Sequence, residues 1–259
     1  MKQQADPAAE PRVFTRARYY SAAAFALAFW ATGVAQALEP EALAAAIADL
    51  WLNDPARRSA ATQVLLRMGA PAVAPVLREA RTERRERIAA RLIAQMGDDG
   101  VAALVAALGD PESDLRAGSI LFTVITPESA RRIPELLECV ARMPRVNHYC
   151  GTALVKIADA RAGKHWSLLA ERLGHPDADV RMYAAAALGR LGKSAKGAGK
   201  ALTAALRDPE PRVRAAAAGS LGDVGSRTVE TLEGLRGAKR DENAEVRRRA
   251  EAALRELRG

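Results

Sequence analysis

The sequence predicts an all-α solenoid of about seven helical hairpins behind an N-terminal apolar segment. Three observations lead there: a period near 33 residues, small and apolar residues recurring at three and four within each unit, and Asp-Pro or Gly at matching places. The period is clearest from Ala204 to Gly225, AALRDPEPRVRAAAAGSLGDVG. With Val213 as anchor, the equivalent residues are Val246 after it and Val180, Val146 and Leu115 before it, spaced 33, 33, 34 and 31 residues apart. A period of this length marks units that cannot bury their apolar faces alone and stack to do so.

Within the unit, Ala216, Ala217, Ser220, Leu221 and Val224 follow Val213 on one helical stripe, and their small size lets neighbouring helices approach closely. Asp208 before Pro209 reads as an N-cap followed by an N1 proline. An Arg follows the corner Asp by six residues in Asp110/Arg116, Asp208/Arg214 and Asp241/Arg247. These pairs are expected to form a structural ladder within or between neighbouring repeats, because they recur once per unit and a catalytic pair would not.

The stretches DPEPRVRAAAAGSLGDVG (208–225) and HPDADVRMYAAAALGRLG (175–192) resemble HEAT repeats, specifically the HEAT-like type of phycobilin lyase subunits. The resemblance covers most of the chain after the leader. It implies stacked antiparallel helix pairs with the second helix of each lining a concave side. It leaves activity open, because such folds carry binding scaffolds and some enzymes alike.

The elements follow in order from Pro, Gly and Asp punctuation. Repeat one is a helix from Pro40 to about Leu52 and, after Asn53-Asp54-Pro55, a second to Met68, closed by Gly69. Repeat two begins at Pro71, carries Pro75 in its first helix, lacks the Asp-Pro corner, and has its second helix from Arg84 to Met96 before Gly97. Repeat three joins Val101–Leu108 to Glu112–Ile125 through Gly109-Asp110-Pro111. Repeat four, the deviant one, pairs Glu128–Arg142 with Val146–Ala158 around Met143-Pro144. Repeats five, six and seven span about 160–192, 193–225 and 226–257. The last helix is charged enough to cap the stack. The first is apolar, with Leu43, Ile47, Leu50, Trp51 and Leu52 either packed on its neighbours or open to a partner.

Residues 1–37 read as a secretory signal. Basic residues up to Arg18 precede the uncharged run Ser21–Ala37, which ends in an Ala-Gln-Ala cleavage site, so the solenoid would occupy 38–259. The alternative is an uncleaved inner-membrane anchor, since Tyr19–Leu38 approaches the ~20 residues that span a bilayer. Both readings place the repeats outside the cytoplasm, in the periplasm or secreted, and membrane contact is expected only if the segment is uncleaved. The leader holds four basic and two acidic residues, which leaves +6 of the formal +8 on the repeats.

The residues carry little catalytic signal. His148, His165 and His175 stand singly, without the short spacings of a metal site, and no nucleophile-elbow, phosphate-loop or zinc-protease motif is present. His175 occupies the corner place of Asp208 and Asp241 and is expected to act as a cap or turn residue. Neither metal nor cofactor is expected. Nucleic acid is not expected as a partner, because arginines alternate with acids and most second helices lack aromatic residues for stacking. Cys139 and Cys150 flank the Met143-Pro144 corner almost symmetrically. Export favours a disulfide, whereas the 8–10 Å between packed helix axes exceeds the ~7 Å limit between bridged Cα atoms and favours two buried thiols. Helix phase places Arg212, Met182, His148, Arg248 and Tyr183 on the presumptive concave side, as residues for an envelope protein partner. The expected function is that of a non-enzymatic scaffold or adaptor. The competing readings are a lyase-like enzyme subunit, as the resemblance permits, and a structural member of a larger complex held through the apolar first helix.

Overall fold

The computed structural model describes residues 40–258, and the leader reading at 1–37 lies outside them. Among the described residues there are fourteen α-helices and no strands, arranged as seven consecutive hairpins. The hairpins are α1 Pro40–Leu50 with α2 Pro55–Met68, α3 Val73–Glu79 with α4 Glu83–Gln95, and α5 Gly97–Ala107 with α6 Asp114–Val124. They continue with α7 Ile133–Arg142 and α8 Asn147–Ile157, α9 Trp166–Arg172 and α10 Ala178–Leu191, α11 Gly199–Ala205 and α12 Pro211–Val224, and α13 Val229–Ala238 and α14 Ala244–Glu256. The first helices of four hairpins are entered through 3-10 turns at Ala70–Ala72, Pro127–Arg132, Ala160–His165 and Gly192–Ala198. Proline or glycine in these lead-ins shortens the regular part of the first helices relative to the second.

Each second helix packs on the next, α4 on α6, α6 on α8, α8 on α10, α10 on α12 and α12 on α14, and the contact is densest in the last two steps. From the fourth hairpin onward the first helices and their lead-ins touch more sparsely. The second helices, none shorter than its partner and in closest contact over the last hairpins, form the more continuous of the two layers. The apolar core is the seam between the layers, from Ile47 and Leu50 to Leu254 and Leu257. Ile47, Leu50 and Trp51 of the first hairpin are buried within it, so this side of the first helix is packed inward.

The corners depart from the N-cap expectation. Asp54 before Pro55 is a true N-cap, accepting from the N–H groups of Ala56 and Arg57. Asp208 is not: α12 begins three residues later at Pro211, with Glu210 at its N-cap, and Asp208 Oδ1 accepts from the Glu210 N–H at 2.9 Å. Asp241 does the same for Asn243, which then caps α14. These are Asx turns that bend the chain before the helix starts. In repeat five His175 Nδ1 accepts from the Asp177 N–H at 3.1 Å, so the imidazole replaces the carboxylate as turn acceptor.

The ladder runs between repeats, not within them. Arg214 donates from Nε and Nη2 to the carboxylate of Asp241 in the next repeat, while its Nη1 holds the carbonyls of Asp208 and Pro209 in its own corner. Arg181 does likewise to Asp208 and to the carbonyls of His175 and Pro176. Arg247 grips its own corner carbonyls, Asp241 and Glu242. The Asp110/Arg116 pair of the sequence reading does not form. Asp110 accepts from Arg78 of the preceding hairpin, and Arg116 donates to the Glu112 carbonyl. Burial pushes the Asp208 carboxyl up, but the Arg181 guanidinium and the Glu210 N–H outweigh it and hold it below the usual aspartate range. Asp241 is held low first by its hydrogen bonds from Arg214.

Repeat four is stapled. Cys139 near the end of α7 and Cys150 early in α8 are joined in a buried disulfide, with Cα atoms 6.0 Å apart. The two helices converge at the Met143-Pro144 corner, so the local separation is shorter than the average spacing of packed helix axes.

Candidate binding surface on the second helices

Burial fixes the register of the second helices. Ser113, Val146, Val180, Val213 and Val246 are all 1% exposed or less, whereas Leu115 is 49% exposed. The anchor of repeat three is therefore Ser113, two residues before the expected Leu115. The spacing becomes 33, 34, 33 and 33, more regular than the sequence reading allowed.

In this register the third position after the anchor is Arg116, Tyr149, Tyr183, Ala216 and Arg249, and the fifth is Gly118, Gly151, Ala185, Ala218 and Glu251. The two tyrosines lie over the two glycines of the preceding helices. A Cβ on Gly118 would stand 2.4 Å from the Tyr149 ring, and one on Gly151 would stand 2.2 Å from the Tyr183 ring. Both rings are half-buried in consequence. The mid-helix Gly189 is likewise a seat for the next helix: a Cβ on it would stand 2.5 Å from Ser220 Oγ.

Around the tyrosines a polar cluster joins three hairpins. The Tyr183 hydroxyl lies 3.4 Å from His148 Nδ1. The His148 and Tyr149 rings are 5.8 Å apart at their centroids. Asn147 donates to Asp179 at 2.8 Å, and Arg212 of α12 pairs with the other Asp179 oxygen at 3.0 Å and with Glu210. Burial, then repulsion by Asp179, raises the Tyr183 phenol above its usual value against the pull of Arg212, so the hydroxyl keeps its proton. Protonated, it can donate to His148 Nδ1.

His148, Tyr183 and Arg212 are thus neighbours through direct contact or through Asp179. Met182 is half-buried against the core beside them. Arg248 is apart, on α14, paired with Glu245 of its own helix. The sequence reading took Leu115 of α6 for a core anchor and passed over Phe122, and the two are 49% and 48% exposed. Seven residues apart, they share one helix face, and that spacing was the available signal. Lys156 of α8 stands 4.9 Å over the Phe122 ring and donates to the Phe122 carbonyl at 2.6 Å, extending the surface across the next hairpin.

Residues 166–255, which contain α9 to α14 up to Arg255, match the family model described as HEAT repeats. This span carries HEAT repeats. The chain's earlier hairpins continue the same two-layer packing. No curated protein matches the sequence. Similar solved structures include an engineered protein, 19% identical over 83% of this chain and 96% of that one, with a TM-score of 0.48. A designed armadillo repeat protein in complex with the peptide (KR)4 is 17% identical over 83% and 99%, at 0.47. Human deoxyhypusine hydroxylase in complex with glycerol is 20% identical over 84% and 96%, at 0.37. Likeness at this level says nothing of what these HEAT repeats bind or do.

Proposed function

We propose that the chain is a non-enzymatic scaffold of the bacterial envelope that holds a protein partner on its second-helix surface. The observation that carries this reading is the cluster of His148, Tyr183, Asp179 and Arg212, contributed by three successive hairpins to one surface. Aromatic and arginine side chains fixed by their neighbours are what a protein interface needs at its centre, since little side-chain entropy is lost on docking. Leu115 and Phe122 extend the same surface with apolar area. The envelope location rests on the leader sequence and on the Cys139–Cys150 disulfide, a bond that oxidising compartments favour.

The test is crosslinking and pull-down of the full-length protein from its native envelope, with N-terminal sequencing of the recovered chain. Combined His148→Glu and Arg212→Glu should reduce partner capture by about tenfold or more, on the scale of a disrupted interface centre. Arg248→Glu, away from the cluster, should reduce it less. Undiminished capture by the double variant would remove the surface assignment. A chain beginning at Leu38 would support export with cleavage, and a chain retaining the leader would support the anchored form.

A further inference from the structure

The first two hairpins meet differently from the rest. Counted back from the helix-ending glycines, Gly69 and Gly97 here as Gly192 and Gly225 later, the positions equivalent to Gly151 and Tyr183 are Thr62 and Ile88. Where later repeats offer glycine or alanine, α2 offers a β-branched residue, and its helix cannot be approached as closely. Contact between α2 and α4 is accordingly sparser than at any other step of the second-helix layer among the described residues. A cleft of about 300 Å³ opens between them.

Its chemistry is one-sided. Arg58, Ser59 and Gln63 line it from α2, and Arg91 and Gln95 from α4, with Ile88 and Leu92 as the apolar part. No carboxylate and no aromatic ring lines it among the described residues. On the same two helices Arg57 pairs with Asp49 and Arg87 with Glu83, whereas neither Arg58 nor Arg91 has a carboxylate partner among the described residues. Arg58 donates from Nη1 to the Leu52 carbonyl, which orients the guanidinium without neutralising it.

We propose that the α2–α4 cleft is a binding site for an acidic, extended stretch of polypeptide. Guanidinium groups pair with carboxylates in two-bonded geometry. The Gln63 and Gln95 amides each carry a donor and an acceptor, matching the N–H and C=O of a peptide backbone. Ile88 and Leu92 pack against side-chain methylenes between the charges. From Pro55 to Gln63 the wall is roughly 12 Å long at ~1.5 Å per helical residue, which accommodates about four residues of extended chain at ~3.3 Å each. A peptide fits this lining better than a nucleic acid or a glycan, which would use aromatic platforms for bases or sugar rings. The chain's own leader has the wrong charge, with four basic and two acidic residues in 1–37. This site lies at the opposite end of the array from α12 and uses none of the residues of the proposed partner surface, so either can fail without the other.

The experiment is fluorescence anisotropy on the full chain with a labelled eight-residue peptide alternating Glu and Leu. A matched peptide with Gln for Glu, a polygalacturonate and an oligodeoxythymidylate serve as comparisons. The acidic peptide should bind, the Gln peptide should bind at least tenfold more weakly, and Arg91→Glu should weaken the acidic peptide about tenfold without lowering Tm. Arg58→Glu should weaken it as well, but it also removes the bond to Leu52, so the exposed Arg91 variant decides. Absence of acidic-peptide binding, equal binding by Arg91→Glu, or equal binding of the Gln peptide would overturn the proposal. So would Arg91-dependent binding of the polyuronate or oligonucleotide in place of the peptide.

Discussion

Gly151 and Tyr183 set the distance between two second helices. The ring of Tyr183 occupies the space where a Cβ on Gly151 would stand, 2.2 Å away, and the neighbouring step repeats the pairing with Gly118 and Tyr149. Gly151→Ala should therefore destabilise by about 1–3 kcal/mol through overpacking, despite alanine's better helix propensity. Thermal melting of Gly151→Ala, Tyr183→Leu and the double variant measures this. The double variant should recover part of the loss, and simple additivity would show that the two residues do not share the space. Tyr183 was visible in the sequence as a candidate, but Tyr149 and the two glycine seats were not. The pairing joins residues 31 and 32 positions apart and depends on a register that burial, not pattern, decided at Ser113.

The fourth hairpin shows how an element is held when its repeat signature is weak. Its corner has Met143-Pro144 in place of Asp-Pro, and the ladder position of α8 is Asn147 where α10 and α12 have Arg181 and Arg214. The partner position in the next corner has changed too, from Asp to His175, so both halves of the inter-repeat pair are replaced together. The disulfide ties α7 to α8 at this place, across eleven residues of sequence. In the chain-entropy picture, closing a loop of that size stabilises by about 3 kcal/mol. Cys139→Ser with Cys150→Ser should lower Tm by roughly the 2–4 °C per kcal/mol expected for a chain of this size. Dithiothreitol should lower the wild-type Tm comparably and leave the double variant unchanged. Equal Tm with and without reductant would show that the bond contributes nothing to the hairpin.

At the scale of the whole molecule, two contacts recur from hairpin to hairpin: the apolar seam and a row of carboxylate–guanidinium bridges. Arg78 with Asp110, Arg131 and Arg132 with Asp98, Arg181 with Asp208, and Arg214 with Asp241 each connect one repeat to the next. The Asp208 and Asp241 carboxyls lie below their ordinary range in the folded array. A depressed folded-state value contributes stability that is full above the unfolded aspartate value, about 4, and is lost as pH falls through the folded value. Tm should stay nearly constant down to about pH 5 and fall below pH 4. With their side chains only 8% and 12% exposed, these two sites should contribute measurably to the acid loss. A variant with Asp208→Asn and Asp241→Asn should show a visibly smaller drop between pH 5 and pH 2. An identical acid slope in wild type and variant would assign the loss to other carboxylates.

The sequence by itself determined the repeat, the two helices per unit and the number of units, because stacking imposes one apolar stripe per helix and that stripe recurs at a countable interval. It also carried the corner residues and the two cysteines, which are local in the chain. Tertiary structure alone decided what those residues touch: the Asp208 carboxylate answers to Arg181 while Arg214 takes only its carbonyl, Cys139 reaches Cys150 because two helices converge, and Tyr183 meets His148 across a hairpin boundary. The reason is physical. Every one of these contacts depends on the rotation and spacing of one helix against another, and those quantities are set by side-chain volume at the interface, by a Gly in the middle repeats and by Thr62 where the first two part.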